Sequence, residues 1–218
     1  ARRSAAAAGA QTAAVVTTGK TGSPAPVVAR PPSCDELLLV ARKLRQQDRN
    51  EAAINNYLLA AREAQRVGKP SLRDQAAREA NGLCGQNARA HYEVGLYWVE
   101  RGQPDEALAH LKQAAELSNT WYEAHMALAR VATDQTEYDT AVVSLKKADQ
   151  SNPARPEALW SLAQIYDRNL SLTNQARQAY TLFVQRFGAD GRVQEGRERL
   201  QALGGMDHSV RPPAPVQT

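Results

Sequence analysis

The sequence is short of several things at once. Its 218 residues include two cysteines, two methionines and two phenylalanines, and hardly any isoleucine. Two cysteines cannot build the dense disulfide framework of a small secreted domain. The shortage of β-branched and aromatic residues removes the usual vocabulary of sheets. No run approaches the ~20 continuous apolar residues that would span a bilayer. There is no Gly-rich phosphate loop, no Gly-x-Ser-x-Gly elbow and no His-Glu-x-x-His pair. With those signatures absent, no catalytic residue, cofactor or metal is assigned, and the chain reads as a non-enzyme.

Alanine, arginine and glutamine are plentiful, which is a helix-forming composition. The formal net charge is +4, and its location is informative. Residues 1–33 carry Arg2, Arg3, Lys20 and Arg30 and no acid, while the tail balances Asp207 against Arg211. The segment between them is therefore neutral, which argues against a dedicated nucleic-acid binder. Residues 1–33 and 204–218 lack any apolar period and are rich in Ala, Thr, Gly and Pro, so they read as a disordered linker and a disordered tail. The acid-free start from Ala1 suits either an organelle transit remnant or a tether from an upstream membrane anchor.

Between these ends the chain repeats itself. Gly95, Trp98, Gly102, Ala107, Leu111 and Ala114 become, 34 residues later, Ala129, Ala132, Thr136, Ala141, Leu145 and Ala148. Ala163 and Tyr166 keep the phase once more. One extra residue in the turn 169–174 then shifts the second half to Ala176, Tyr180 and Phe183. Small residues at Gly95, Ala129 and Ala163 allow a second helix to approach, and Ala107, Ala141 and Ala176 answer from that helix. Pro153 cannot continue a helix and sets a break between units.

This order of small, aromatic and proline positions over 34 residues resembles the tetratricopeptide repeat (TPR). The resemblance implies an all-α solenoid of helix-turn-helix units over 34–203. Units fit 88–121, 122–155 and 156–190 well and 34–67 more loosely, with an insert at 68–87 and a C-terminal capping helix at 191–203. It also implies that positions five and nine of each unit line a partner-binding groove. Those positions are Leu38, Tyr92, Met126 and Trp160, and Arg42, Leu96, Arg130 and Gln164. A protein segment with bulky side chains and a carboxylate would suit such a strip. Tyr92 and Trp160 would either line the groove or pack between repeats. The lysines and asparagines of the clamp by which co-chaperone repeats grip a heat-shock C terminus are missing here, since Leu38, Arg42, Tyr92, Leu96 and Ala127 stand in their places.

His91 and His125 share position four, where they are expected to stack one repeat apart as satisfied interface residues. Cys34 and Cys84 would form a disulfide if the insert folds back on the first unit, and would otherwise be two unrelated thiols. The closing segment, Ala179–Gly188 and the charged helix ending Leu200–Leu203, resembles the last repeats of bacterial periplasmic TPR lipoproteins that assist pilus and secretin assembly. That resemblance implies an envelope scaffold. An organellar or cytosolic assembly factor and a permanent structural subunit are the other readings, and any membrane contact would run only through an upstream anchor.

Overall fold

The repeat shows itself most plainly in the turns. The computed structural model describes residues 30–204, and from Pro32 onward they belong to one compact unit. The expected linker and tail lie outside the described residues, apart from 30–33 and Gly204. The helices are α1 (Cys34–Gln46), α2 (Asn50–Arg66), α3 (Pro70–Gly82), α4 (Ala88–Glu100) and α5 (Pro104–Leu117). They continue as α6 (Tyr122–Asp134), α7 (Tyr138–Ser151), α8 (Pro156–Gln164), α9 (Thr173–Arg186) and α10 (Val193–Ala202). There is no strand among the described residues, so the fold is all-α.

Five short turns have a middle residue in the left-handed region: Asp48, Gly68, Gly102, Thr136 and Ser171, with φ between 52° and 70°. Gly68, Gly102 and Thr136 are spaced by 34, and Ser171 follows 35 later. The repeat register therefore runs back through α2 and α3. Pro70 opens α3 as Pro104 opens α5, at the first helical turn, where a missing N–H costs nothing. Ala61, Gly95, Ala129 and Ala163 occupy one buried phase.

This corrects the expected boundaries. Residues 68–87 are not an insert, because α3 is the second helix of a hairpin with α2 in a unit spanning about 54–87. The surplus element is α1, which packs on the outside of that hairpin. The reason for the slip is physical. Both α1 and α3 are amphipathic, both pack on α2, and periodicity fits either pairing.

The terminal helices serve different needs. Ser33 caps α1 through a reciprocal box, accepting from the Glu36 N–H at 3.3 Å while the Glu36 carboxylate accepts from the Ser33 N–H at 2.7 Å. That satisfies two otherwise orphaned donors. At the other end α10 covers the last hairpin, and its Gly196 lets it lie close against Val184, Trp160 and Phe183.

The residue inserted in the last unit sits elsewhere than the sequence suggested. It is absorbed within the helix, where α8 runs on into a π-helical turn at Ile165–Asn169 and the Leu170 N–H donates to Ile165 O at 3.0 Å. A π-turn is the way a helix accommodates one extra residue without ending.

The core falls into two clusters. One joins α1–α4 through Leu37, Ile54, Tyr57, Leu58, Ala77 and Tyr97. The other joins α5–α10 through Leu111, Leu128, Leu145, Trp160, Tyr180 and Phe183. Trp98 of α4 packs against both clusters, so α4 couples the first hairpin to the rest.

Candidate functional site

The first helices of the three later hairpins, α4, α6 and α8, share a face and line a groove of about 580 Å³. Tyr92 and Leu96 come from α4, Met126, Ala127 and Arg130 from α6, and Ser161 and Gln164 from α8. Each pair lies about one helical turn apart, so α4 and α6 each present an apolar residue followed one turn later by a second groove residue. Five residues singled out from the sequence therefore meet here: Tyr92, Leu96, Met126, Arg130 and Gln164.

The other three do not. Leu38 is buried in the first core cluster, and Arg42 lies beside Arg45, Tyr57 and Glu79, on the α1 side. Both assignments followed from counting α1 as the start of a unit. In the observed register their places belong to Leu58, which is buried, and Arg62, which donates to Glu100 at 2.7 and 3.1 Å. Trp160 is buried against Tyr180 and Phe183, with ring centroids 5.5 and 4.9 Å away. It neither lines the groove nor packs between repeats: its partners are α9 of its own hairpin and the cap. No further hairpin follows α8–α9 among the described residues, and the cap α10 closes over this tryptophan.

One wall of the groove escaped the sequence reading. Tyr122, at the start of α6, donates to Glu157 at 3.2 Å and lies under the Arg155 guanidinium, 4.1 Å from the ring centre. Arg155 also donates to Glu123 at 2.8 Å. Burial, then the Glu157 carboxylate, pushes the Tyr122 hydroxyl up to about 12, so it remains a donor at neutral pH. Tyr92 stacks on Trp121 at 4.7 Å, which holds its ring along the groove. Tyr122, Trp121 and Arg155 are first or last in their 34-residue units and Glu123 and Glu157 second, so positions five and nine pass over this wall.

The charges in the groove are balanced but unequally used. Glu123 and Glu157 share Arg155, and Arg168 pairs with Glu195. Arg130 is exposed and makes no salt bridge among the described residues. It is a cation at the edge of an apolar strip, able to receive a carboxylate in two parallel hydrogen bonds.

The disulfide does not form: Cys34 and Cys84 are free and buried. Topology separates them. The start of α1 lies near the start of α3, where Asp35 and Lys69 are 3.6 Å apart. Cys84 lies beyond the far end of α3, about 20 Å away along a 13-residue helix.

Nor do His91 and His125 stack on each other. Each bonds a backbone carbonyl through Nε2, that of Gly85 at 3.1 Å and that of Asn119 at 2.9 Å. Gly85 and Asn119 are themselves 34 apart, so each histidine ties the head of its hairpin to the preceding turn. His91 additionally meets His110, with the two Nδ1 atoms 3.0 Å apart, and Cys84 lies within 4.8 Å of both.

No family model matches the sequence, and no curated protein does. Solved structures do. A protein from Bacteroides ovatus superposes with a TM-score of 0.57 at 13% identity, over 79% of this chain and 98% of its own. YrrB, described as a TPR protein with an unusual peptide-binding site, gives 0.52 at 15% identity, over 76% and 92%. A tetratricopeptide repeat protein from Parabacteroides merdae gives 0.52 at 17% identity, over 79% of this chain and 60% of its own. With ten α-helices and four hairpins in register among the described residues, and with these neighbours, the chain has the fold of the tetratricopeptide-repeat proteins.

Proposed function

We propose that the chain is a non-enzymatic protein-binding scaffold that holds an extended segment of a partner along α4, α6 and α8 and so aids assembly of a larger complex. The observation that carries this reading is the strip Tyr92–Leu96–Met126 ending at the unpaired Arg130. An apolar strip with one available cation suits a segment with bulky side chains and a carboxylate. The cavity offers little to a compact small molecule, since it is an open trough between helices, and Glu123 and Glu157 on its wall are held by Arg155.

The test is site-specific photocrosslinking in the native host. A crosslinker at Met126 should capture a protein segment, and one at Val143, exposed on α7, should not. A synthetic peptide of the captured sequence should bind the purified chain, and Arg130→Glu should weaken it about tenfold or more, as for a lost charge-assisted pair. Equal capture at both positions would sink the groove reading. Capture at fixed stoichiometry that survives high salt would favour a permanent structural subunit.

For compartment we propose the bacterial envelope, supported by the resemblance of residues 179–203 to the closing repeats of periplasmic assembly proteins. The cysteines lend it nothing, since both thiols are free. Fractionation of the native host decides it: recovery in the cytosol would leave a cytosolic assembly factor.

A further inference from the structure

A second site lies on the other side of α4. We propose that Cys84, His91 and His110 form a Zn²⁺ site that ties the α3–α4 turn to α5. Their ligand atoms, one sulfur and two ring nitrogens, all lie within 4.8 Å of one another. One thiolate and two imidazoles are a ligand set of the kind zinc takes, and the half-buried histidines leave its fourth position to water.

The orientation of His91 favours this assignment. Its Nε2–H donates to the Gly85 carbonyl at 3.1 Å, which fixes the tautomer and leaves the Nδ1 lone pair directed at His110. A backbone carbonyl holding the outer nitrogen while the inner one faces the ion is the usual support of a metal-binding histidine. In the metal-free chain the short Nδ1–Nδ1 approach is bridged by one proton, carried by His110. On binding, that proton leaves Nδ1 and Nε2 of the same ring takes one up through water. The Cys84 thiol gives up its proton to form the Zn–S bond, so one proton is released per ion.

The next repeat supplies an internal comparison. Thirty-four residues on, His91 becomes His125, with the same carbonyl bond to the preceding turn. In place of Cys84 and His110 stand Ser118 and Ser144, and Ser144 donates to its own helix at Thr140 O. The histidine's structural role thus needs neither the thiol nor the second imidazole. Those two are the additions that convert a turn-binding histidine into a ligand cluster.

The comparison also gives the variants. Cys84→Ser and His110→Ser copy residues that the same fold already accommodates one repeat later. Tag-free full chain should bind one Zn²⁺ by calorimetry. With Co²⁺ it should show a thiolate-to-metal charge-transfer band and the visible spectrum of a tetrahedral ion. Cys84→Ser should abolish the charge-transfer band, both variants should weaken Zn²⁺ binding by about a hundredfold or more, and Cys34→Ser should change neither. Circular dichroism of each variant checks that the helices are intact. Absence of the charge-transfer band in the native chain, or Zn²⁺ binding unchanged in either variant, overturns the site. The readout is independent of the groove, so its failure leaves the scaffold reading intact.

Discussion

Gly95 of α4 faces Leu111 of α5 so closely that a Cβ on the glycine would lie 2.8 Å from Leu111 Cγ and 2.9 Å from Cδ2. Leu111 is fully buried, and Cγ is the branch point of its side chain, which cannot swing aside. Two effects oppose each other in Gly95→Ala. The helix gains about 1 kcal/mol of propensity, while overpacking costs about 1–3 kcal/mol. The clash outweighs the gain because Leu111 cannot yield, and a net loss of up to about 2 kcal/mol is expected in chemical denaturation. Ala129→Gly, at the equivalent position one unit on, should also destabilise, because there the methyl is already accommodated.

These two residues show what was legible in the sequence. A small residue every 34 positions, answered by another on the second helix, specifies a hairpin whichever side chains surround it. That is why the fold class and the later hairpins could be read directly. Start and end effects could not. Position counting assumes that each unit has a neighbour on both sides, so it sent Trp160 to the groove when α10 covers it. It also started one helix early, because α1 and α3 both pack on α2 and the period fits either as its hairpin partner. Of the site, Tyr92, Leu96, Met126, Arg130 and Gln164 were readable, while Leu38, Arg42 and Trp160 in the terminal units were not. Arg155 and Tyr122 were missed because a guanidinium stacked on a ring joins two units and belongs to the period of neither.

The turns offer a cleaner test of backbone conformation. Thr136 adopts φ 59°, a region costly for a β-branched residue, while Gly68 and Gly102 occupy the matching places freely. Thr136→Gly should therefore raise stability by roughly 0.5–1 kcal/mol. Gly102→Thr should lower it by about 1–2 kcal/mol. Unfolding midpoints for the pair test the claim, and equal signs would show that the turns are not equivalent.

Groove and core residues should separate when binding and stability are measured together. Met126→Asp and Arg130→Glu alter a half-buried and an exposed side chain, so unfolding midpoints should move little while peptide binding falls about tenfold or more. Trp160→Ala removes a buried ring that touches Tyr180 and Phe183 and should cost about 3–5 kcal/mol. Loss of binding in that variant would report the fold. If Trp160→Ala proved neutral to stability, the buried placement would be wrong.

The last prediction concerns acid. Asp190 accepts from Arg192 Nε at 2.8 Å, from Nη2 at 2.7 Å and from the Arg192 N–H at 2.9 Å. These bonds pull its carboxyl from 3.8 down to about 2. They also hold the guanidinium over Trp160 and Phe183, at 5.6 and 5.5 Å. A depressed carboxylate contributes stability that is fully present above its unfolded pKa and lost as pH falls through its folded one. The contribution should therefore be whole at pH 6, fade below about 4 and be gone near 2. Asp190→Asn should lower the thermal midpoint at pH 6, and the gap from the native chain should close as the pH approaches 2. Other carboxylates titrate in the same window, so absolute midpoints will fall for both proteins, and the informative quantity is their difference. A gap that persisted unchanged to pH 2 would mean that the aspartate acts through shape, with its charge irrelevant to how Arg192 is held over Trp160.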